Sequence, residues 1–134
     1  MRTFYVFKIN KEFKILTKKN PYNLFYALNN IKSMSKEEVN LASKLFNELC
    51  DTYKSKNLNK ELFDSLKETD YYTKFNNNHI INNYYTDENS KLTVKNTYLK
   101  IKSSKNKPLF FNILKNLPNL FVIDFDSKDY FWLS

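Results

Sequence analysis

Asp124 and Asp126 stand two residues apart near the end of the chain, a spacing that puts both carboxylates on one face of a strand. Such a pair can hold Mg²⁺ or share acid–base work. Asp126 also begins the run Asp126-Ser127-Lys128-Asp129, where an aspartate is favoured for hydrogen-bonding its own backbone in a turn. The structural role is the expectation. His79 is the only histidine and lies in an Asn-rich stretch that reads as a loop. A metal centre needs several His, Cys or carboxylate ligands together, and base catalysis needs an oriented partner. A surface or packing histidine is expected. Cys50, the only cysteine, falls on the apolar face of a helix and reads as a small buried hydrophobe rather than a nucleophile. No catalytic residue, cofactor or metal ligand is assigned, and the chain is not expected to be an enzyme.

Composition narrows the choice further. The 134 residues include no glycine, and Arg2 is the only arginine among 22 basic residues. Phosphate-cradling loops of the dinucleotide and P-loop types rest on glycine at positive φ, so nucleotide-dependent chemistry is not expected. One cysteine permits no internal disulfide and suits a reducing cytoplasm. Lysines and Arg2 are spread through the first 19 residues, which leaves no room for a secretion signal. No segment approaches the roughly 20 apolar residues of a spanning helix. Hydrophobic residues make up 42% of the chain and aromatics 17%, enough for one core. A single domain over residues 1–134, cytoplasmic and monomeric, is the expectation.

The elements that must position these residues read as follows. Thr3 to Ile9 is aromatic and β-branched, a strand. Asn10-Lys11 reads as a tight turn, with Glu12 to Thr17 as a second strand. Asn20-Pro21 opens a helix to about Ile31 that buries Leu24, Phe25 and Leu28. Ser35-Lys36-Glu37-Glu38 is a capping box. The helix after it carries Val39, Ala42, Phe46, Leu49, Cys50 and Tyr53 on one face, with Leu41 and Leu45 at the rim of that stripe. A shorter helix from Asn59 to about Glu68 turns Leu62, Phe63 and Leu66 inward. Residues 71–90 read as loops with one short strand or turn. Lys91–Val94 and Tyr98–Lys102 form a hairpin around Lys95-Asn96. A helix from Pro108 carries Leu109, Phe110, Ile113 and Leu114 to its stop at Pro118. Leu120–Phe125 is a buried strand and Tyr130–Leu133 the last one. The fold class is α+β: an antiparallel sheet formed by N- and C-terminal hairpins, with helices packed against it.

Charge is unevenly spread. Residues 1–20 sum to +5, residues 91–118 to +7 without an acid, and residues 32–70 to −1. If the terminal hairpins are neighbours, their lysines form one basic face. A solvated lysine surface is the default reading of it. The functional readings are nonspecific nucleic-acid binding by counterion release, and steering of an acidic protein. With one arginine, sequence-specific reading of guanine is not expected.

The segment Leu109-Phe110-Phe111-Asn112-Ile113-Leu114-Lys115, with Phe121-Val122-Ile123-Asp124-Phe125-Asp126-Ser127-Lys128-Asp129-Tyr130-Phe131-Trp132-Leu133, resembles the C-terminal signature of the SirA family. Its members are sporulation inhibitor of replication proteins. That signature is a helix, an apolar strand into D-F-[ND]-S-K, an aromatic residue and W-L. The aromatic first strand before Lys11-Glu12-Phe13, and Met34-Ser35-Lys36-Glu37-Glu38-Val39, are similar to the family as well. The resemblance implies a protein that binds the N-terminal domain of the replication initiator DnaA and restrains chromosome replication at sporulation. It takes no small-molecule substrate and no membrane, and direct nucleic-acid contact is the alternative. Carried over by position, the contacts fall on Phe13 and Thr17, and on Glu38 and Leu41. Leu45 joins them because it is apolar yet displaced from the core stripe. Thr17 and Leu41 stand where the family has aromatic residues. No contacts are expected from a tail beyond Trp132-Leu133, which relatives carry.

Overall fold

The computed structural model describes residues 1–133; Ser134, the last residue of the expected domain, lies outside them. The order of elements is β1 (Arg2–Ile9), α1 (Lys11–Thr17), α2 (Pro21–Lys32), one 3₁₀ turn (Lys36–Glu38), α3 (Val39–Leu49), β2 (Cys50–Asp51), α4 (Ser55–Leu66), β3 (Tyr72–Phe75), β4 (Asn78–Asn83), β5 (Glu88–Val94), β6 (Leu99–Ser103), α5 (Phe110–Leu114), β7 (Leu120–Asp124) and β8 (Asp129–Trp132). The strands form one sheet in the order β3-β4-β5-β6-β1-β7-β8, and β2 pairs with the end of β1. Every pairing is antiparallel. The α+β class read from the sequence stands.

The first strand sits at the centre of this sheet. Its Tyr5 faces Lys100 on one side and Ile123 on the other, while Lys8 and Ile9 pair with Asp51 and Cys50. Both edges of β1 are therefore occupied, and no N-terminal hairpin can form. Residues 12–17, expected as a strand, are helix α1 instead. The Asn10 side chain accepts from the Glu12 amide at 2.9 Å, and the Lys14 amide donates to the Asn10 carbonyl at 2.9 Å, the geometry of an N-cap.

Alternation sorts the apolar residues onto two faces. On one face Phe4, Val6, Leu92, Leu99, Ile101, Leu120 and Val122 pack under Leu58, Leu62 and Leu66 of α4 and Phe110 and Leu114 of α5. On the other, Phe7, Ile9, Phe121 and Ile123 pack under Leu24, Phe25 and Leu28 of α2. Phe13 of α1 and Phe46 and Leu49 of α3 cover the margins of that second cluster. At about 1.5–3 kcal/mol per buried large side chain, the two clusters supply most of the drive to fold. Burial on both sides is why β7 reads as an unbroken apolar run. All five of its residues are buried.

Residues 71–90 hold two complete strands and part of a third rather than loops. The glycine-free chain turns between them on Asn76 and Asp87, at φ 53° and 55°, since Asn and Asp tolerate the left-handed region best among side-chain-bearing residues. Absence of glycine therefore does not exclude positive φ in this protein. Tyr71, Asn119 and Lys128 adopt it too.

Candidate functional site

Asp124, Cys50 and His79 are each committed to the fold. Asp124 is buried and Arg2 Nε donates to it at 3.0 Å; its other oxygen accepts from the Asp126 and Ser127 amides at 3.1 and 3.2 Å. Burial alone would raise this carboxyl, but the hydrogen bonds from Arg2 and Ser127 and the Arg2 charge outweigh it and hold the group below its ordinary range. Asp126 lies in the turn rather than on the strand, so the two carboxylates do not share a strand face. Cys50 is buried at the start of β2, not on the helix. Burial and the charge of Asp51 push its thiol up to about 12, which leaves it protonated and unreactive.

His79 lies in strand β4, not in a loop, and is fully buried. Nε2 lies 2.8 Å from Asn59 Oδ1 and Nδ1 lies 2.8 Å from the Tyr72 hydroxyl. Asn59 Nδ2 in turn donates to Asn77 Oδ1 at 2.8 Å. The Asn59 oxygen can only accept, so Nε2 carries the proton and Nδ1 accepts from Tyr72. Burial and the charge of Lys74 lower the imidazole to about 4. The histidine is a neutral structural link between α4 and β4. Among the described residues no three His, Cys, Asp or Glu side chains gather as a metal site would need, and no helix is long and apolar enough to cross a membrane.

The remaining candidates lie on helices α1 and α3. Phe13 and Thr17 are one turn apart on α1; the Thr17 hydroxyl donates to the Phe13 carbonyl, and the Phe13 ring is half-buried against the aromatic cluster. Glu38 is exposed just before α3, where its carboxylate accepts from the Ser35 amide at 3.4 Å and the Ser35 hydroxyl at 3.0 Å. Leu41 is 48% exposed and Leu45 half-buried. No residue of α3 is fully buried, although the helix is amphipathic. The Asn10 amide donates to the Leu49 carbonyl at 2.8 Å, tying the start of α1 to the end of α3. Leu45 and Leu41 then lie one and two turns back along α3, roughly 6 and 12 Å from that junction at 1.5 Å per residue. Phe13 and Leu45 thus flank the junction, while Glu38 stands at the far end of α3.

Sequence reading missed three residues of this surface. Ile15 and Leu16 of α1 are 71% and 74% exposed, and Val39, expected in the core, is 57% exposed. Read as a helix, α1 has a usable signal for Ile15: with Phe13 docked inward, the residue two further on lies about 200° round the helix and points away from the core, whereas Leu16, only about 60° from Phe13, carries no such signal. Phe63, expected to face inward, is also exposed.

The same side of the molecule carries an open groove of about 510 Å³ with Tyr5, Phe7, Phe46, Tyr98 and Phe125 among its walls and Lys32 at its edge. Beyond the groove the lysines part company. Lys91, Lys100 and Lys102 share a sheet face with Tyr5, whereas Lys8 projects to the opposite face and Lys11, Lys14, Lys18 and Lys19 belong to α1 and its end. The two basic segments thus do not merge into one face.

Against known proteins, the family model described as "Sporulation inhibitor of replication protein SirA" matches residues 2–134. No curated protein matches the chain. The match takes in both the helical surface of α1 and α3 and the C-terminal strands that carry the D-F-D-S-K and W-L residues, and on that extent the chain belongs to the SirA family of sporulation inhibitors of replication.

Proposed function

We propose that this protein restrains chromosome replication by holding the N-terminal domain of the replication initiator DnaA against the surface of α1 and α3. Family membership over residues 2–134 supports a role as a replication inhibitor. The observation that carries the choice of surface is Leu41, an apolar side chain 48% exposed on a helix with no fully buried residue. Ile15, Leu16 and Val39 are exposed on the same two helices, and apolar side chains left in water in this way are what a protein contact would cover. Phe13, Thr17, Glu38 and Leu45 border those side chains, and inhibition by occlusion needs none of them to do chemistry.

Calorimetric titration of the chain with the initiator's N-terminal domain tests this reading. Saturable binding is expected, and Leu41→Glu is expected to weaken it tenfold or more, since each 1.4 kcal/mol of lost contact is a factor of ten. Its thermal midpoint should stay near that of the parent, because the side chain is not part of the core. Absence of binding by the parent at high micromolar concentration would refute the proposal.

A further inference from the structure

The helices of the second face cover only part of the sheet. The cluster beneath α2 draws on β1, β2, β7 and β8 and takes no residue from β3, β4, β5 or β6. Over those four strands the sheet lies open. One cross-strand row on this face runs Phe75, Asn78, Thr93, Lys100, Tyr5. The next row runs Thr73, Ile80, Lys91, Lys102, Thr3. Neither row contains a carboxylate. Lys91 and Lys102 are direct cross-strand partners, a like-charge pair that costs stability in a sheet. A sequence that keeps such a conflict without a compensating acid marks a place where an external anion resolves it.

Aromatic rings accompany these charges. Lys100 Nζ lies 5.8 Å from the Tyr5 ring centroid, and Lys32 Nζ lies 5.3 Å from it and 4.2 Å from that of Phe125. At the other end of the row Phe75 is 68% exposed. From β3 to β1 the track crosses four strand spacings, about 19 Å. Lysines along a path, hydroxyls and amides between them and an exposed ring at one end are what a flexible polyanion with stackable bases requires.

We propose that the open face of β3, β4, β5, β6 and β1 binds single-stranded nucleic acid without sequence preference. Lys91, Lys100 and Lys102 meet backbone phosphates, and the exposed Phe75 offers the stacking platform. Lysine suits this task, as a point charge on a mobile stem tracks phosphates without demanding a fixed fork geometry. An acidic peptide would use the lysines but leave the ring without a role. Only the Tyr5 end of the track reaches the groove beside α3; the lysines and Phe75 stand on β3, β5 and β6, so the inference does not depend on initiator binding.

Fluorescence anisotropy of a short labelled oligothymidylate with the full chain decides the matter. Binding at low salt should weaken with a log–log slope of about −2, as for three neutralised phosphates on a single strand. Phe75→Ala should weaken it about fivefold or more. Lys91→Glu is the critical variant. It places a carboxylate opposite Lys102, so binding should fall while the thermal midpoint holds or rises, an outcome that misfolding cannot produce. Unchanged binding by Lys91→Glu, no binding at low salt, equal affinity for duplex DNA, or equal competition by polyglutamate would each overturn the proposal.

Discussion

The single arginine and the single histidine each serve as a structural link between separate parts of the fold. Arg2 spans two carboxylates, Asp124 through Nε and Asp129 through Nη2, both at 3.0 Å. A lysine has no second planar donor to make that bridge, which accounts for one arginine in a chain otherwise built on lysine. His79 accepts from Tyr72 and donates to Asn59 only while neutral. Its pKa falls from 6.5 to about 4 on folding, so the unfolded chain takes up a proton first as pH drops. Stability from this group is full above pH 6.5 and declines as pH falls toward 4, by up to about 3 kcal/mol. Asp124, held low by Arg2, gives up its contribution only at lower pH, so the two windows separate. Urea midpoints measured across pH 4 to 7 should show the decline. In His79→Gln, whose amide can still donate to Asn59 and accept from Tyr72, the slope in that window should flatten. A slope as steep as the parent's would assign the decline to other groups.

At the scale of elements, the strands and helices that bury a full face were legible in the sequence, and those whose identity depends on a distant neighbour were not. Leu24, Phe25 and Leu28 are buried on α2 as their spacing implied, and the hairpin of β5 and β6 and the strand β7 fell within a few residues of expectation. The segment Glu12–Thr17 misled because Glu12-Phe13-Lys14-Ile15 alternates polar and apolar residues as a strand does, and Ile15 and Thr17 are β-branched. Only the occupation of both edges of β1 by strands some hundred residues later rules the strand out. Residues 71–90 misled in the opposite way, because the turns that define their strands use Asn and Asp where glycine usually signals. Of the surface proposed for the initiator, Leu41 and Leu45 stood out from the core stripe in the sequence, whereas the exposure of Ile15 and Leu16 is seen only in the folded chain. Since α1 has only seven residues, its own propensity cannot sustain it, and its cap matters. Asn10→Ala should cost about 1 kcal/mol and speed amide exchange over residues 11–17. Because Phe13 and Thr17 ride on α1, initiator affinity should fall with it; unchanged exchange would show that Phe13 packing alone fixes the helix.

At the scale of the molecule, the sheet's centre joins what would otherwise be two cores. Phe4, Val6, Leu120 and Val122 belong to the cluster under α4 and α5, and Phe7, Ile9, Phe121 and Ile123 to the cluster under α2. These eight residues alternate along only two strands, β1 and β7, so neither cluster can lose its floor without the other. We infer that residues 1–133 unfold as one cooperative unit. Trp132 packs edge-on against Phe121, ring centroids 4.9 Å apart, and reports the second cluster by fluorescence, while far-ultraviolet circular dichroism reports helices of both. The two urea transitions should coincide. Amide exchange should then grade outward, with β1 and β7 opening only on global unfolding and β3 opening locally, since three of its four residues are exposed at the sheet's edge. A fluorescence transition that precedes the loss of helix would mean that α1, α2 and α3 detach as a layer, and the surface proposed for the initiator would then be the first part of the protein to melt.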